Sequence, residues 1–207
     1  MNPKSAEPGG GPHRPGRVVL RPGTVNDVPA MARLMDLAVE WLVKRGVTGQ
    51  WGTQQPSESP DRMKQLTGFA ESGGLWVAVK SQFSDSEVSN TAKDVSGDEG
   101  SSSVPGGVVG SIALGDAPPY VKPAGEPELY IKGFLTDRSW AGHGIGALLL
   151  AKARQLAGDA GISVLRVDCY RGEDGKLVKY YESQGFVKME EFEVQGWPGQ
   201  VLMQRLE

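Results

Sequence analysis

The sequence predicts an α/β chain, a mixed sheet with helices on its faces, in the order βααββ-β-α-β-α-ββ. Three observations carry that expectation. Apolar residues recur at helical spacing in two early segments and again after a glycine-rich loop. Short runs rich in β-branched residues, such as LWVAV, VVGSIAL and ISVLRVDC, lie between these segments and after them. The chain closes on FVKMEEFEV and QVLMQRL joined by GWPG, the pattern of an antiparallel hairpin. Strands interleaved with amphipathic helices must bury the helices' apolar stripes on the sheet, which gives the layered arrangement.

Each element has its own signal. RVVLRPG is a short strand. Thr24 and Asp27 can cap the helix that follows, whose apolar face is Val28, Met31, Leu34, Met35, Ala38, Trp41 and Leu42, and Gly46 ends it. Ser59 and Pro60 open a second helix with Met63, Leu66, Phe69 and Ala70 on one side, and Gly73-Gly74 closes it. Strands LWVAV and VVGSIAL come next, then a proline-rich loop and the strand ELYIKGFLT. A helix over 144–160 is expected to bury Ile145, Leu148, Leu149, Ala153, Leu156 and Ala157. Strand ISVLRVDC, a short helix through KLVKYYES and the closing hairpin complete the order. Residues 1–16 are rich in glycine and proline and read as a disordered tail. The polar stretch at about 81–107 reads as a flexible insertion in a hairpin rather than a boundary, so 17–207 is expected to be one domain.

Composition narrows the classes of function. The chain has 207 residues, 39% hydrophobic and 23% charged, within the range of an ordinary globular domain. A net charge of −3 gives no broad basic footprint, so no nucleic-acid partner is expected. The lone cysteine, Cys169, excludes an internal disulfide. No run is apolar and long enough for a membrane span, and the start lacks the apolar core of a secretion leader. A cytoplasmic protein with no membrane partner and no metal is the resulting expectation.

The informative segment is FLTDRSWAGHGIGALLLAKARQLA. A strand passes through a polar loop to Gly142, Gly144 and Gly146, and a helix begins there. A helix N-terminus offers unpaired N–H groups and the positive end of the macrodipole, and glycine lets a phosphate approach the backbone. His143 can add a donor. The segment also satisfies a dinucleotide fingerprint, with Asp168 ending the next strand about twenty residues on, as a ribose-binding acid would. Against a nicotinamide-dependent enzyme stand the intervening 137–140 and the shortness of the chain after Asp168, which reads as one helix and a hairpin.

The stretch from Leu129 to Phe186 resembles the GNAT N-acetyltransferase superfamily. AGHGIG stands where that family has its glycine loop. Asp174-Gly175-Lys176-Leu177-Val178-Lys179-Tyr180-Tyr181, followed by Gln184-Gly185-Phe186, stands where it has N-x-x-(A/L)-x-x-x-Y and G-F. Arg21-Pro22 and WLVKRGVTGQW extend the likeness toward the N-terminus. The resemblance implies a mostly antiparallel central sheet, acetyl-CoA as acyl donor and a small-molecule amine as acceptor, and it permits a homodimer through the C-terminal strands. Two positions depart from the pattern. Ala141 stands where the family usually has Arg or Gln, and Asp174 stands where it usually has Asn. Those departures keep a second reading open, a coenzyme A-binding module without turnover.

For the site, the resemblance implies that Phe134, Leu135 and Thr136 at the end of a splayed strand bind the pantetheine and polarise the thioester carbonyl. The phosphates would sit on Ala141, Gly142, His143, Gly144, Ile145, Gly146 and Ala147, with Asp174 and Leu177 touching the arm. Tyr181 becomes the general acid toward sulfur, since a phenol with pKa ~10 stays protonated at neutral pH. Glu128 at the start of the central strand is the expected base, with Glu40 and Asp168 as alternatives. Cys169 has no histidine placed to activate it as a nucleophile. Trp41, Trp51 and Tyr130 are expected to wall the acceptor pocket.

Overall fold

The computed structural model describes residues 17–81, 107–172 and 174–207. The expected tail at 1–16 and nearly all of the expected insertion, 82–106, lie outside the described residues. The elements follow the anticipated order: β1 Val18–Pro22, α1 Val28–Val43, α2 Pro60–Glu71, β2 Leu75–Lys80, β3 Val108–Gly115, β4 Glu128–Thr136, α3 Ile145–Asp159, β5 Val164–Tyr170, α4 Lys176–Ser183, β6 Val187–Val194 and β7 Trp197–Arg205. The strands form one seven-stranded sheet in the order β1-β2-β3-β4-β5-β7-β6. Only the β4–β5 pair is parallel. That pattern matches the expected mostly antiparallel sheet and does not match a doubly wound dinucleotide fold.

Side-chain alternation divides the core between the two faces of the sheet. Leu75, Val77 and Val79 of β2 pack with Met31, Leu34, Met35 and Leu66 of α1 and α2. Ile131, Val167, Cys169 and Leu202 pack on the opposite face with Leu149 and Ala153 of α3 and Val178 and Tyr181 of α4. One helix face differs from expectation. Leu148 is exposed and Leu156 only half-buried, while Leu150 is wholly buried. At about 100° per residue, Leu149, Leu150, Ala153 and Ala157 form one stripe, and Leu148 falls behind it. Among the described residues no helix is long and apolar enough to cross a membrane.

The approach to α1 is fastened by a buried acid. The Asp27 carboxylate accepts two bonds from the Arg21 guanidinium, at 2.8 and 2.7 Å, and one from the Thr24 N–H at 2.9 Å. Burial pushes this carboxyl up, but the Arg21 and Thr24 bonds outweigh burial and hold it below the ordinary range. Asp27→Asn is expected to cost about 2–3 kcal/mol of stability by thermal or urea unfolding. A depressed folded pKa contributes stability above the unfolded pKa. The wild-type advantage is therefore lost as pH falls below about 4, and the variant's stability should not share that loss.

The feature that opens a site is the partial pairing of β4 with β5. They pair from Glu128↔Val164 to Ile131↔Val167 and no further. Both strands continue, because each keeps its outer partner. β4 stays on β3 to Thr136↔Gly110, and β5 stays on β7 to Tyr170↔Gly199. The β3–β4 register slips where Ala113↔Gly133 is followed by Leu114↔Ile131, leaving Lys132 as an extra residue. Such a bulge bends its strand and re-aims the extra side chain. The two strands diverge from that point.

Candidate active site

The divergence opens a groove of about 1050 Å³. Its donor end is built by the loop into α3. Gly142 and Gly144 hold φ of +81° and +73°, a conformation that side-chain-bearing residues rarely adopt. Gly144 is the N-cap of α3, whose first backbone bond runs from the Leu148 N–H to the Gly144 carbonyl at 2.9 Å. Among the described residues, the N–H groups of Ile145, Gly146 and Ala147 have no acceptor. Gly146 serves another purpose. A Cβ there would collide with the Tyr180 hydroxyl and press on Phe134, so glycine allows α3 to lie against α4. Three aligned N–H groups at the start of a 15-residue helix, facing a groove, fit a pyrophosphate.

The expected coenzyme residues divide clearly. Phe134, Leu135, Thr136, Ala141, Gly142, Gly144, Ile145, Gly146, Ala147 and Leu177 line the groove. His143 does not. Its Nδ1 lies 3.2 Å from the Ala141 carbonyl and its ring meets Trp140 edge-on. Asp174 does not either. Its carboxylate accepts from the Lys176 N–H and pairs with the Lys176 ammonium at 2.6 Å, so it is engaged at the start of α4. The Ala141 position offers no charge, but Arg138, which the sequence reading passed over, lines the groove beside the cradle. Its guanidinium stacks 3.4 Å above the Trp41 ring, with Arg45 at 4.2 Å from the same ring. Burial and the like charge of Arg45 hold the Arg138 pKa below its usual value.

Tyr181 sits on α4, 3% exposed, within the cluster formed by Phe134, Tyr180 and Phe186. It lines the groove, and its hydroxyl makes no hydrogen bond among the described residues. Burial raises the phenol well above its ordinary pKa, and the groups Cys169, Tyr180 and Asp168 add to the effect. It is a proton-holding group at any physiological pH. Cys169 is buried beside it, and burial together with Asp168 pushes its thiol up to about 12. A thiol so protonated is a poor nucleophile.

The expected base and pocket wall are rearranged. Glu128 does not line the groove. Its carboxylate accepts from Arg166 at 3.0 and 3.2 Å, and Arg166 is itself 5% exposed. Nor does Glu40. Asp168 does line it, one residue beyond the last β4–β5 pair. The Tyr130 hydroxyl donates to Asp168 Oδ1 at 2.7 Å and the Tyr120 hydroxyl to Oδ2 at 3.4 Å. Tyr130 is wholly buried and orients Asp168 from behind; it is not a pocket wall. Burial raises the Asp168 pKa, and the bonds from Tyr130 and Tyr120 only partly oppose this. Burial also pushes Tyr120 up to about 12, so it remains a donor. Trp51 lines the groove, whereas the Trp41 ring carries Arg45 and Arg138. Tyr120, Phe192 and Trp197 complete this wall, with ring centroids 5.4 and 5.9 Å apart along the row. Trp197 Nε1 donates to the Gln50 carbonyl at 2.9 Å, joining the closing hairpin to the α1–α2 loop.

Strand alternation sets Tyr181 and Asp168 on opposite faces. Val167 and Cys169 face α3, α4 and Tyr181, so Asp168 between them faces the other way, as its bond to Tyr130 shows. Among the described residues no group of three or more His, Cys, Asp or Glu could hold a metal ion.

These features coincide with known proteins. The sequence model of the acetyltransferase (GNAT) family matches residues 86–186, the span that carries the cradle, both arms of the wedge and Tyr181. No curated protein matches the sequence. Among solved structures, a GNAT acetyltransferase from Listeria monocytogenes superposes with a TM-score of 0.60 at 15% identity, covering 91% of this chain and 95% of that one. A ribosomal-protein-alanine N-acetyltransferase from Brucella melitensis gives 0.55 at 20% identity, over 91% and 99%. The Salmonella typhimurium protein yncA, solved with its cofactor acetyl-CoA, gives 0.57 at 14%, over 92% and 94%. Nearly the whole chain has the fold of the GNAT acetyltransferases, and that family's sequence model matches the part of the chain that builds the groove.

Proposed function

We propose that this chain is an acetyltransferase that moves an acetyl group from acetyl-CoA to a primary amine by direct attack, with Tyr181 as general acid and Asp168 as general base. The observation that carries the reading is the placement of a proton-holding phenol and a proton-accepting carboxylate on opposite faces of one wedge between β4 and β5. The amine reaches the wedge from the α1–α2 face. Asp168, raised in pKa by burial, takes the ammonium proton. The amine nitrogen forms its bond to the acetyl carbon, and the carbon–sulfur bond breaks. The thiolate leaves toward α4 and takes the proton of the Tyr181 hydroxyl, while the second proton of the attacking nitrogen passes to solvent in the groove, from which Tyr181 is reprotonated. Backbone N–H groups of β4 that lost β5 as a partner are available to the thioester carbonyl. The N–H groups at the start of α3 hold the pyrophosphate, and Arg138 supplies the charge that Ala141 lacks.

The Glu128 carboxylate, fixed on Arg166, is a structural tie in this reading rather than a base. A module that only binds coenzyme A would have no use for a desolvated acid held by two tyrosines at the wedge, which favours turnover. The test is a thiol-release assay across a panel of amines together with calorimetric titration of acetyl-CoA. Release of thiol that depends on the amine supports transfer. Binding without release under every amine would reduce the protein to a carrier.

The cradle has its own test. Gly144→Glu is expected to weaken acetyl-CoA binding on the order of 100-fold. It adds a like charge beside the pyrophosphate and about 1–2 kcal/mol of left-handed strain. Gly144→Asn accepts the positive φ with less strain and adds no charge, so titration of both variants separates repulsion from geometry. Equal affinity in wild type and Gly144→Glu removes the loop from the donor site.

A further inference from the structure

The groove has a polar end that the transfer chemistry leaves unused. Arg62, in the first turn of α2, and Lys132, the bulge residue of β4, both line the groove. Both also line a side cavity of about 100 Å³ between the α1–α2 pair and the sheet, together with Met31, Met35 and Phe69. Arg62 Nη1 donates to Gln65 Oε1 at 2.9 Å, and Lys132 Nζ stands 5.9 Å from the Phe69 ring. Among the described residues neither cation forms an ion pair with a carboxylate. Two positive groups thus border one small, largely apolar cavity without a counter-charge. A cavity bordered by two cations favours an anion, and a guanidinium beside an ammonium suits a planar acid group.

The position of this pair relative to the base is fixed by the sheet. Ile131↔Val167 is the last pair between β4 and β5, so Lys132 and Asp168 are the next residues on the two arms of the wedge. A cation stands on one arm and a carboxylate on the other. A molecule that carries an amine and an acid a few bonds apart matches both.

We propose that the acceptor is such a molecule, an amino acid or an amino-acid-like zwitterion whose acid group is held by Arg62 and Lys132 while its amine is turned to Asp168. This rests on the transfer reading above and narrows its substrate class. A peptide N-terminus, which carries an amide where the free amino acid carries its carboxylate, is the excluded alternative.

The experiment measures kcat/KM for matched acceptors, each amino acid against its primary amide and its decarboxylated amine, with wild type and with Arg62→Gln combined with Lys132→Gln. The wild type should prefer the acid by about 10–100-fold, mostly through KM. The preference ratio should fall toward one in the double variant, and because it is internal to each protein, a partial loss of active protein does not alter it. If the double variant does not fold, Arg62→Gln alone, at a half-exposed helix position, should lower the ratio. Amides or plain amines used as well as the acids overturn the inference, and so does a preference that survives removal of both cations. Those outcomes leave acetyl transfer intact. Acetyl-CoA binding with no amine acetylated overturns the transfer reading itself, and this inference with it.

Discussion

Tyr181→Phe should lower kcat by ~10²–10⁴ with little change in acetyl-CoA affinity or melting temperature. The substitution keeps the ring, which packs against Phe134, Tyr180 and Phe186, and deletes only the hydroxyl. That hydroxyl makes no hydrogen bond among the described residues, so its removal orphans no buried partner. The usual cost of deleting a buried polar group is therefore absent, and stability should hold. Chemistry is different. In the proposed transfer sulfur leaves with developing negative charge on the α4 face, where Tyr181, Tyr180 and the protonated Cys169 are the titratable groups that line the groove among the described residues. The measurement is single-turnover rate alongside calorimetry and a thermal melt. A fall in melting temperature matching the loss of rate would make Tyr181 a packing residue. An unchanged single-turnover rate would hand protonation of the thiolate to water, to Tyr180 or to Cys169.

Some of this site is legible in the residues alone, and the reason differs from part to part. The cradle is readable because it is a backbone requirement. Positive φ at Gly142 and Gly144 leaves a mark in the sequence that no side-chain contact would leave. Gly146 is read as part of the same signal although its cause is contact with Tyr180, a residue 34 positions on. Tyr181 is readable from its place in the short helix that follows a strand. The proposed base is not readable. Glu128 and Asp168 are both carboxylates near strands, and what separates them is pairing. Glu128 lies across from Val164, within reach of Arg166 of the neighbouring strand, which neutralises it. Asp168 lies one step past the last pair, where tyrosines from two different segments can reach it. The bulge at Lys132 is equally silent in the sequence, because it is a relation between β3 and β4.

The wall of the acceptor end is hidden for the same reason. Tyr120, Phe192 and Trp197 come from a loop and from both strands of the closing hairpin, and no spacing links them. Trp41 and Tyr130 lie in the segments that resemblance points to, but their side chains have other employment. Trp41 carries Arg45 and Arg138 on its ring, and Tyr130 holds Asp168. In both cases the residue acts through a neighbour that does line the groove.

Asp168→Asn should lower kcat/KM at neutral pH by ~10²–10⁴ and abolish the acidic limb of the pH–rate profile. In the wild type the carboxylate must be ionised to accept the ammonium proton. The rate therefore falls as pH drops through the Asp168 pKa, and burial sets that limb above the ordinary carboxylate range. Asparagine keeps an oxygen for the Tyr130 hydroxyl but accepts no proton from the substrate. Stability should move the other way. A carboxyl whose folded pKa is raised binds its proton more tightly in the folded chain than in the unfolded one. Its contribution is most favourable below the unfolded pKa of about 4, declines as pH rises through the folded pKa, and is lowest at neutral pH. Replacing the ionised group with a neutral amide removes that burden, so the variant should melt at or above the wild-type temperature at neutral pH while losing its activity. The opposite stability result, a large drop at neutral pH, would mean that the charge on Asp168 holds the wedge together. An intact acidic limb in the variant would assign the proton to another group. Activity lost with stability kept is the signature expected of a carboxylate retained at a cost to the fold for what it does to the incoming amine.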